Sequence, residues 1–287
     1  FIVFLPVELG GYFYPPFFML NIVVEQIVRM VRFIQVSIVT YRIFALENGY
    51  LVIADISGYT HFIKIHNMRK APVFGKQIAE KWESHAEHII TELLETIISA
   101  FDGTLTLNKL EGDAAFFFVK DDGSEHLADR IVNCMQEAMD AFSKKASEML
   151  FIQSCPCDPC QQSKNLRLKI FAHRGEYQIK KIRHFEELAG ESVIFLHRLM
   201  KNNINSSEYW LLTDTFMESL SDISQLQVQA IDQSIEDFGT VNLGLIDFSQ
   251  KKVDNIEERR AKKVFDFLKM LNYFRANKKR DELINRY

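Results

Sequence analysis

The sequence predicts an α+β fold, with one mostly antiparallel sheet and helices packed on it. Short apolar or alternating runs at 50–56, 104–110, 114–119 and 166–182 read as strands. Between and beside them, apolar residues recur at helical spacing over two long stretches. Strands and helices follow one another in mixed order, which suits a single sheet with helices laid against it.

In chain order, Leu51, Val52, Ile53, Ala54 and Ile56 make a buried strand that Asp55 interrupts. Ser57-Gly58-Tyr59-Thr60 follows as a turn into a short helix over 58–67, which breaks near Ala71-Pro72. From Gly75 to Ser99 the stripe Ile78, Trp82, Ile89, Leu93, Ile97 predicts a long helix, with Glu80, Glu83, Glu87 and Glu92 outside it. Residues 101–103 are a turn. The strand 104–110 and the strand 114–119 form a hairpin with Gly112 near its tip. Residues 121–126 start a helix carrying Leu127, Ile131, Met135, Ala138 and Phe142 on one stripe. Residues 154–165 read as a loop. Residues 166–182 read as strand, turn at Arg174-Gly175, and strand. A helix over 190–202, a short strand at 208–214 and closing strands at 226–234 and 239–248 complete the pattern. From Val253 to Tyr287 the chain is charged and helical in character.

A chain of 287 residues suffices for one large domain, or one domain with appendages. The expected division is an apolar N-terminal extension over 1–45, a main domain over 48–247 with a cysteine loop at 153–163, and a charged helical segment over 248–287. The net charge of -4 gives no overall basic signal, so nucleic acid is not an expected partner. Four cysteines in a chain this long do not make a disulfide scaffold, and a cytoplasmic location is expected. The N-terminal 45 residues stand apart. Glu25, Arg29 and Arg32 interrupt any window long enough to cross a bilayer, and the positive charges follow the apolar run instead of preceding it. This segment reads as upstream translation or a fragment, as an amphipathic membrane-proximal stretch, or as a transmembrane helix. A membrane is a partner only if the segment is native.

Two acids stand out. Asp55 lies in an apolar strand, and Asp113 immediately precedes another. A lone buried carboxylate costs several kcal/mol unless something pairs with it. If the strands are neighbours, the two acids meet and repel, and a divalent cation removes that penalty. Mg²⁺ suits a few carboxylates with phosphate oxygens and water. Gly58 and the helix after it would offer N–H groups to a phosphate. In the plainer alternative Asp55 caps the turn and Asp113 is an ordinary hairpin residue.

The segments "ADISGYT" and "KLEGDAAFFF" resemble the class III nucleotidyl cyclase catalytic domain, whose strand of type F-x-D-I-x-G-F-T precedes a hairpin of type K-x-x-G-D. Lys109, Gly112 and Asp113 fit the second pattern. "KIFAHRGE" is similar to the family's G-I-H-x-G-E segment at His173, Gly175 and Glu176. "EELAGESVIFLHRLM" is similar to its D-x-x-G-x-x-V-N-x-A-x-R segment at Glu187, Gly190, Val193 and Arg198. With its cysteine cluster, the chain also resembles an uncharacterised bacterial cyclase-like subgroup.

The resemblance implies a ferredoxin-like, palm-like sandwich working as a homodimer, with sites at the dimer interface. It implies two Mg²⁺ or Mn²⁺ ions on Asp55 and Asp113 and the carbonyl of Ile56, and conversion of ATP to cyclic AMP and pyrophosphate. Gly58, Tyr59 and Thr60 would face the phosphates. Lys109 would read the purine with Glu187 as its acidic partner, and Arg198 would steady charge on the transferring phosphate. Two features depart from the pattern. Ile194 stands where the family has an asparagine, and no segment near the C-terminus clearly matches its phosphate-binding lysine. A catalytically degenerate nucleotide-binding or dimerisation module is therefore the alternative. A metal- or redox-sensing protein on a cyclase scaffold is a third.

That third option rests on Cys155, Cys157 and Cys160, packed into six residues with two prolines. Three thiolates suit Zn²⁺ or part of an iron–sulfur cluster, a redox response, or no special role. A zinc site needs a fourth ligand, and the sequence suggests only the distant His184. His85 and His88 read as a solvated helix face, His173 as a residue packed or bonded in the sheet, and Cys134 as core.

Overall fold

The computed structural model describes residues 8–9, 12–13, 25–32, 46–59, 75–155, 157–249 and 263–284. These fall into two units. The smaller comprises residues 1–46 and 178–187. In it, β1 (Glu8–Leu9) pairs antiparallel with β2 (Tyr12–Phe13), and α1 (25–32) is exposed along its whole length. Among the described residues no helix is long and apolar enough to cross a membrane.

The larger unit, 47–177 and 188–287, carries the main sheet. From residue 46 the elements in chain order begin with β3 (Leu46–Ser57), α2 (Gly75–Phe101), β4 (Thr106–Glu111), β5 (Ala114–Lys120) and α3 (Leu127–Glu148). A 3₁₀ segment (Met149–Ser154) and α4 (Asp158–Gln162) lead into β6 (Arg167–Ile182). Then come β7 (Phe185–Ala189), α5 (Glu191–Leu199), β8 (Tyr209–Thr213), α6 (Asp214–Met217), β9 (Gln229–Ile235), β10 (Gly239–Asp247) and α7 (Lys263–Ile284). The strand order is β4-β5-β3-β6-β8-β10-β9, with β7 paired to β6. The pairs β3/β5, β4/β5, β8/β10 and β9/β10 are antiparallel, and β6/β8 is parallel. The α+β architecture with one mostly antiparallel sheet is the one expected.

Period-two patterning explains how the sheet is covered on both sides. Val52, Ala54 and Ile56 point to one face, where they join Ile89, Leu93 and Ile97 of α2 and Ile131, Met135 and Phe142 of α3 in the main core. Leu51 and Ile53 point to the other face and are equally buried. There α5 buries Val193, Leu196 and Leu199, His197 meets Phe116 edge-on at 5.3 Å, and Phe195 meets His173 at 5.2 Å. A strand covered on both faces reads as a nearly unbroken apolar run, as 50–56 does.

Two expectations need correction. No turn interrupts 166–182. β6 runs straight through Arg174-Gly175, and Gly175 serves packing: an added Cβ would strike the Ser192 hydroxyl and come 2.5 Å from His173 Nε2. Residues 154–165 are not a surface loop. They fold into short helical turns that bury all three cysteines. The expected helix over 58–67 and the break at Ala71-Pro72 lie almost wholly outside the described residues, as does Thr60.

Candidate functional site

Two constellations of chemically active side chains emerge, at different places on the larger unit.

The first is built where β3 meets the β4–β5 hairpin. β3 and β5 are neighbours with Asp55 opposite Ala114, which brings Asp113 beside the strand end. The N–H of Ile56 donates to the Asp113 carbonyl at 3.1 Å and locks the two segments together. Both turns need glycine. Gly58 has φ 94° and Gly112 has φ 66°, in the left-handed region that side chains disfavour. At Gly58 a Cβ would also press on the Asn165 carbonyl at 3.2 Å. Tyr59 lies next to Gly112, its ring edge 4.0 Å from where a Cβ would stand.

Electrostatics mark the two acids as a pair. Burial pushes the Asp113 carboxyl up to about 6, and the charge of Asp55 adds to the shift. Asp55 is also raised, by burial, with Lys169 opposing. Burial and then the charge of Asp113 raise Tyr59. Two half-buried carboxyls, one of them raised further by the charge of the other, suit a divalent cation. Lys169, a cation near Asp55, escaped the sequence reading. It comes from β6 and lies 5.1 Å over the Tyr209 ring.

The remaining residues named from the sequence lie elsewhere. Lys109 on β4 pairs with Glu111 at 2.9 Å and lies 6.0 Å from the Phe116 ring. His197 Nδ1 is 3.4 Å from the other oxygen of Glu111. Arg198 reaches the β9–β10 turn, donating to Glu236 at 2.5 Å and Asp237 at 3.1 Å. Ile194 is 53% exposed. Glu187 lies on β7, in the smaller unit. His173 bonds to Thr213 at 3.0 Å within the sheet, as expected.

The second constellation is closed. Nδ1 of His85 lies 3.7 Å from Cys155 Sγ, 3.6 Å from Cys157 Sγ and 3.7 Å from Cys160 Sγ. The Cys155 and Cys157 sulfurs are 3.4 Å apart, and all four ligand atoms lie within 4.8 Å of one another. All four residues are buried. Crowding sets the thiols against one another. The neighbouring Cys155 pushes Cys157 up, both neighbours push Cys160 up, and hydrogen bonding to the neighbouring thiols lowers Cys155. Three thiolates cannot share this space without a compensating cation. The group can hold a metal ion. Its histidine is His85, not His184, and both His85 and His88 are buried rather than solvated.

Residues 90–209 match the family model described as a protein of unknown function (DUF2652). The uncharacterized protein Rv2561/Rv2562 of Mycobacterium tuberculosis (strain ATCC 25618 / H37Rv) is 33% identical over 161 residues, covering 56% of this chain and 74% of its own length.

The chain belongs to the family of that mycobacterial protein.

Among solved structures, the guanylyl cyclase Cya2 matches with a TM-score of 0.52 at 13% identity, covering 71% of this chain and 93% of its own. The adenylyl cyclase CyaB from P. aeruginosa matches with 0.48 at 12% identity, covering 71% and 95%. At such identity the likeness is one of fold. This member of the family has the fold of nucleotidyl cyclase catalytic domains, as its motifs implied.

Proposed function

We propose that the protein is a nucleotidyl cyclase-type domain, converting ATP to cyclic AMP and pyrophosphate with Mg²⁺ or Mn²⁺ as a homodimer. The supporting observation is the Asp55–Asp113 pair, held between glycine turns at one end of β3 with both carboxyls raised. Its donor set fits hard divalent ions: two carboxylates and the carbonyl of Ile56. Two such ions, when bound, supply an activated ribose hydroxyl and a neutralised triphosphate. Asp55 and Asp113 hold the ions, and Gly58 and Tyr59 line the approach of the phosphates. Lys109 reads the purine edge from the second subunit. Arg198 leaves the exposed acids of the β9–β10 turn to meet the transferring phosphate. Exposed surface pairs contribute about 0–1 kcal/mol, so exchanging them for a phosphate is feasible.

A second reading has its own observations. Ile194 can donate no hydrogen bond, and loss of one preorganised donor costs ~10²–10³ in rate. Arg198 is already engaged by two acids. Both features favour a domain that binds nucleotide and dimerises without turnover. The deciding experiment incubates the protein with ATP, and separately GTP, plus Mn²⁺, and follows the cyclic nucleotide by mass spectrometry against Asp55→Asn. Product from the parent alone establishes the cyclase. Metal-dependent ATP binding without product establishes the binding module. Neither product nor binding overturns both.

A further inference from the structure

We propose that His85, Cys155, Cys157 and Cys160 bind one Zn²⁺ in a closed tetrahedral site that fastens the C-terminal helix α7 to the cyclase-type core. Zinc bonds sulfur at about 2.3 Å and imidazole nitrogen at about 2.0 Å, so tetrahedral neighbours are separated by about 3.8 Å for S–S and about 3.5 Å for S–N. The three S–N separations are 3.6 to 3.7 Å, and one S–S separation is 3.4 Å. These four of the six separations lie close to the edges of a tetrahedron around a single ion, and the other two are no longer than 4.8 Å. A multi-iron cluster interposes its own iron and sulfide atoms and needs its cysteines farther apart. Four protein ligands, all buried, leave no open coordination position, which marks a structural site rather than a catalytic one.

The ligands come from two places in the chain. His85 belongs to α2, while the cysteines belong to the turns between α3 and β6. Helix α7 closes over them. Phe274 stacks on the His85 ring at 3.6 Å with the planes 8° apart. Tyr273 meets Phe151 edge-on at 5.6 Å, and Met270 is buried in the core. An ion that fixes the His85 ring therefore also fixes the surface on which α7 sits. Zinc here does not depend on nucleotide chemistry, so either proposal can fail alone.

The test is metal analysis of the full chain, purified under reducing conditions and without added zinc, beside Cys160→Ser, His85→Ala and the control Cys134→Ser. One zinc per chain in the parent and in the control, with at least a tenfold loss in the two ligand variants, is expected. Should a variant fail to fold, the second measurement is Co²⁺ titration of the chelator-treated parent. Intense visible bands of tetrahedral Co²⁺ with thiolate charge transfer, at one equivalent, support the site. Faster amide exchange across 263–284 after chelation, reversed by zinc, supports the clamp. Iron with sulfide, a Cys155–Cys157 disulfide in place of metal, or less than a tenth of an equivalent of zinc after reconstitution would overturn the proposal.

Discussion

The acid pair and the thiol cluster solve the same electrostatic problem in opposite ways. Asp55 and Asp113 are half-buried and joined through backbone at the edge of a hairpin. The thiols and His85 are fully buried and complete within one chain. Hard oxygen donors at an open edge suit exchangeable Mg²⁺ or Mn²⁺ carried in with phosphates. Soft donors in a closed shell suit a permanent Zn²⁺. The difference teaches that one scaffold can carry two donor sets of opposite character, separated by burial and ligand type.

The largest expected effect breaks the pair on the acid side. Asp113→Asn should lower Mn²⁺-dependent nucleotide binding or turnover more than a hundredfold while zinc content stays at one per chain. Isothermal titration and metal analysis read the two independently, and parallel loss of both would show that the sites are one cooperative unit. Next comes the thiol side. Cys160→Ser should lower the melting temperature by about 6–12 °C, the shift that loss of about 3 kcal/mol produces in a domain of this size. Calorimetry checks it, and an unchanged melting temperature would mean that the cluster carries no structural load.

Arg198→Ala separates turnover from binding. Its partners are Glu236 and Asp237, both largely exposed, so stability should change by under about 1 kcal/mol. Cyclase rate should fall tenfold or more, with ATP affinity nearly constant. Equal losses in rate and affinity would place Arg198 in ground-state binding instead.

A smaller effect is set by pH. In the metal-free protein Asp113 is protonated below about 6. Cation binding needs the carboxylate, so Mn²⁺ affinity should rise as pH climbs through about 6 and then level. The sign for folding is the reverse. Between roughly pH 4 and 6 the folded chain holds a proton that the unfolded chain has released, so the metal-free protein loses stability as pH rises through that window. Asp55→Asn should narrow the window by removing the neighbouring charge. Denaturant melts across pH 4–7 would reveal it, and a pH-independent midpoint would mean that Asp113 does not titrate there.

The smallest effect is Phe274→Ala. Losing the stack on His85 should cost ~1 kcal/mol and weaken zinc only several-fold. Competition with a chromophoric chelator measures it. A complete loss of zinc would give Phe274 a larger part than a ring packed on a ligand.

Local pattern was enough for much of this molecule. The strand 50–56, the hairpin around Gly112, the helical stripes of α2 and α3 and the α+β class were legible because burial imposes a period on adjacent residues. The acid pair was legible because Asp55 and Asp113 break apolar runs at recognisable turns. What was misread involved contacts between distant parts of the chain. Gly175 looked like a turn, yet its missing side chain makes room for Ser192 and His173. Lys169 carries no local signal in the sequence, and only strand order brings it near Asp55.

The sequence by itself determined most of the strands, the long helices and the three candidate soft ligands, because these follow from spacing of a few residues. Only the tertiary structure decided the fourth ligand. His85 lies 70 residues before Cys155 and looks like any histidine on a helix, until packing of α2 against the cysteine turns carries its Nδ1 to within 3.7 Å of all three sulfurs. Coordination is a property of distance in space, and no periodicity along the chain encodes it.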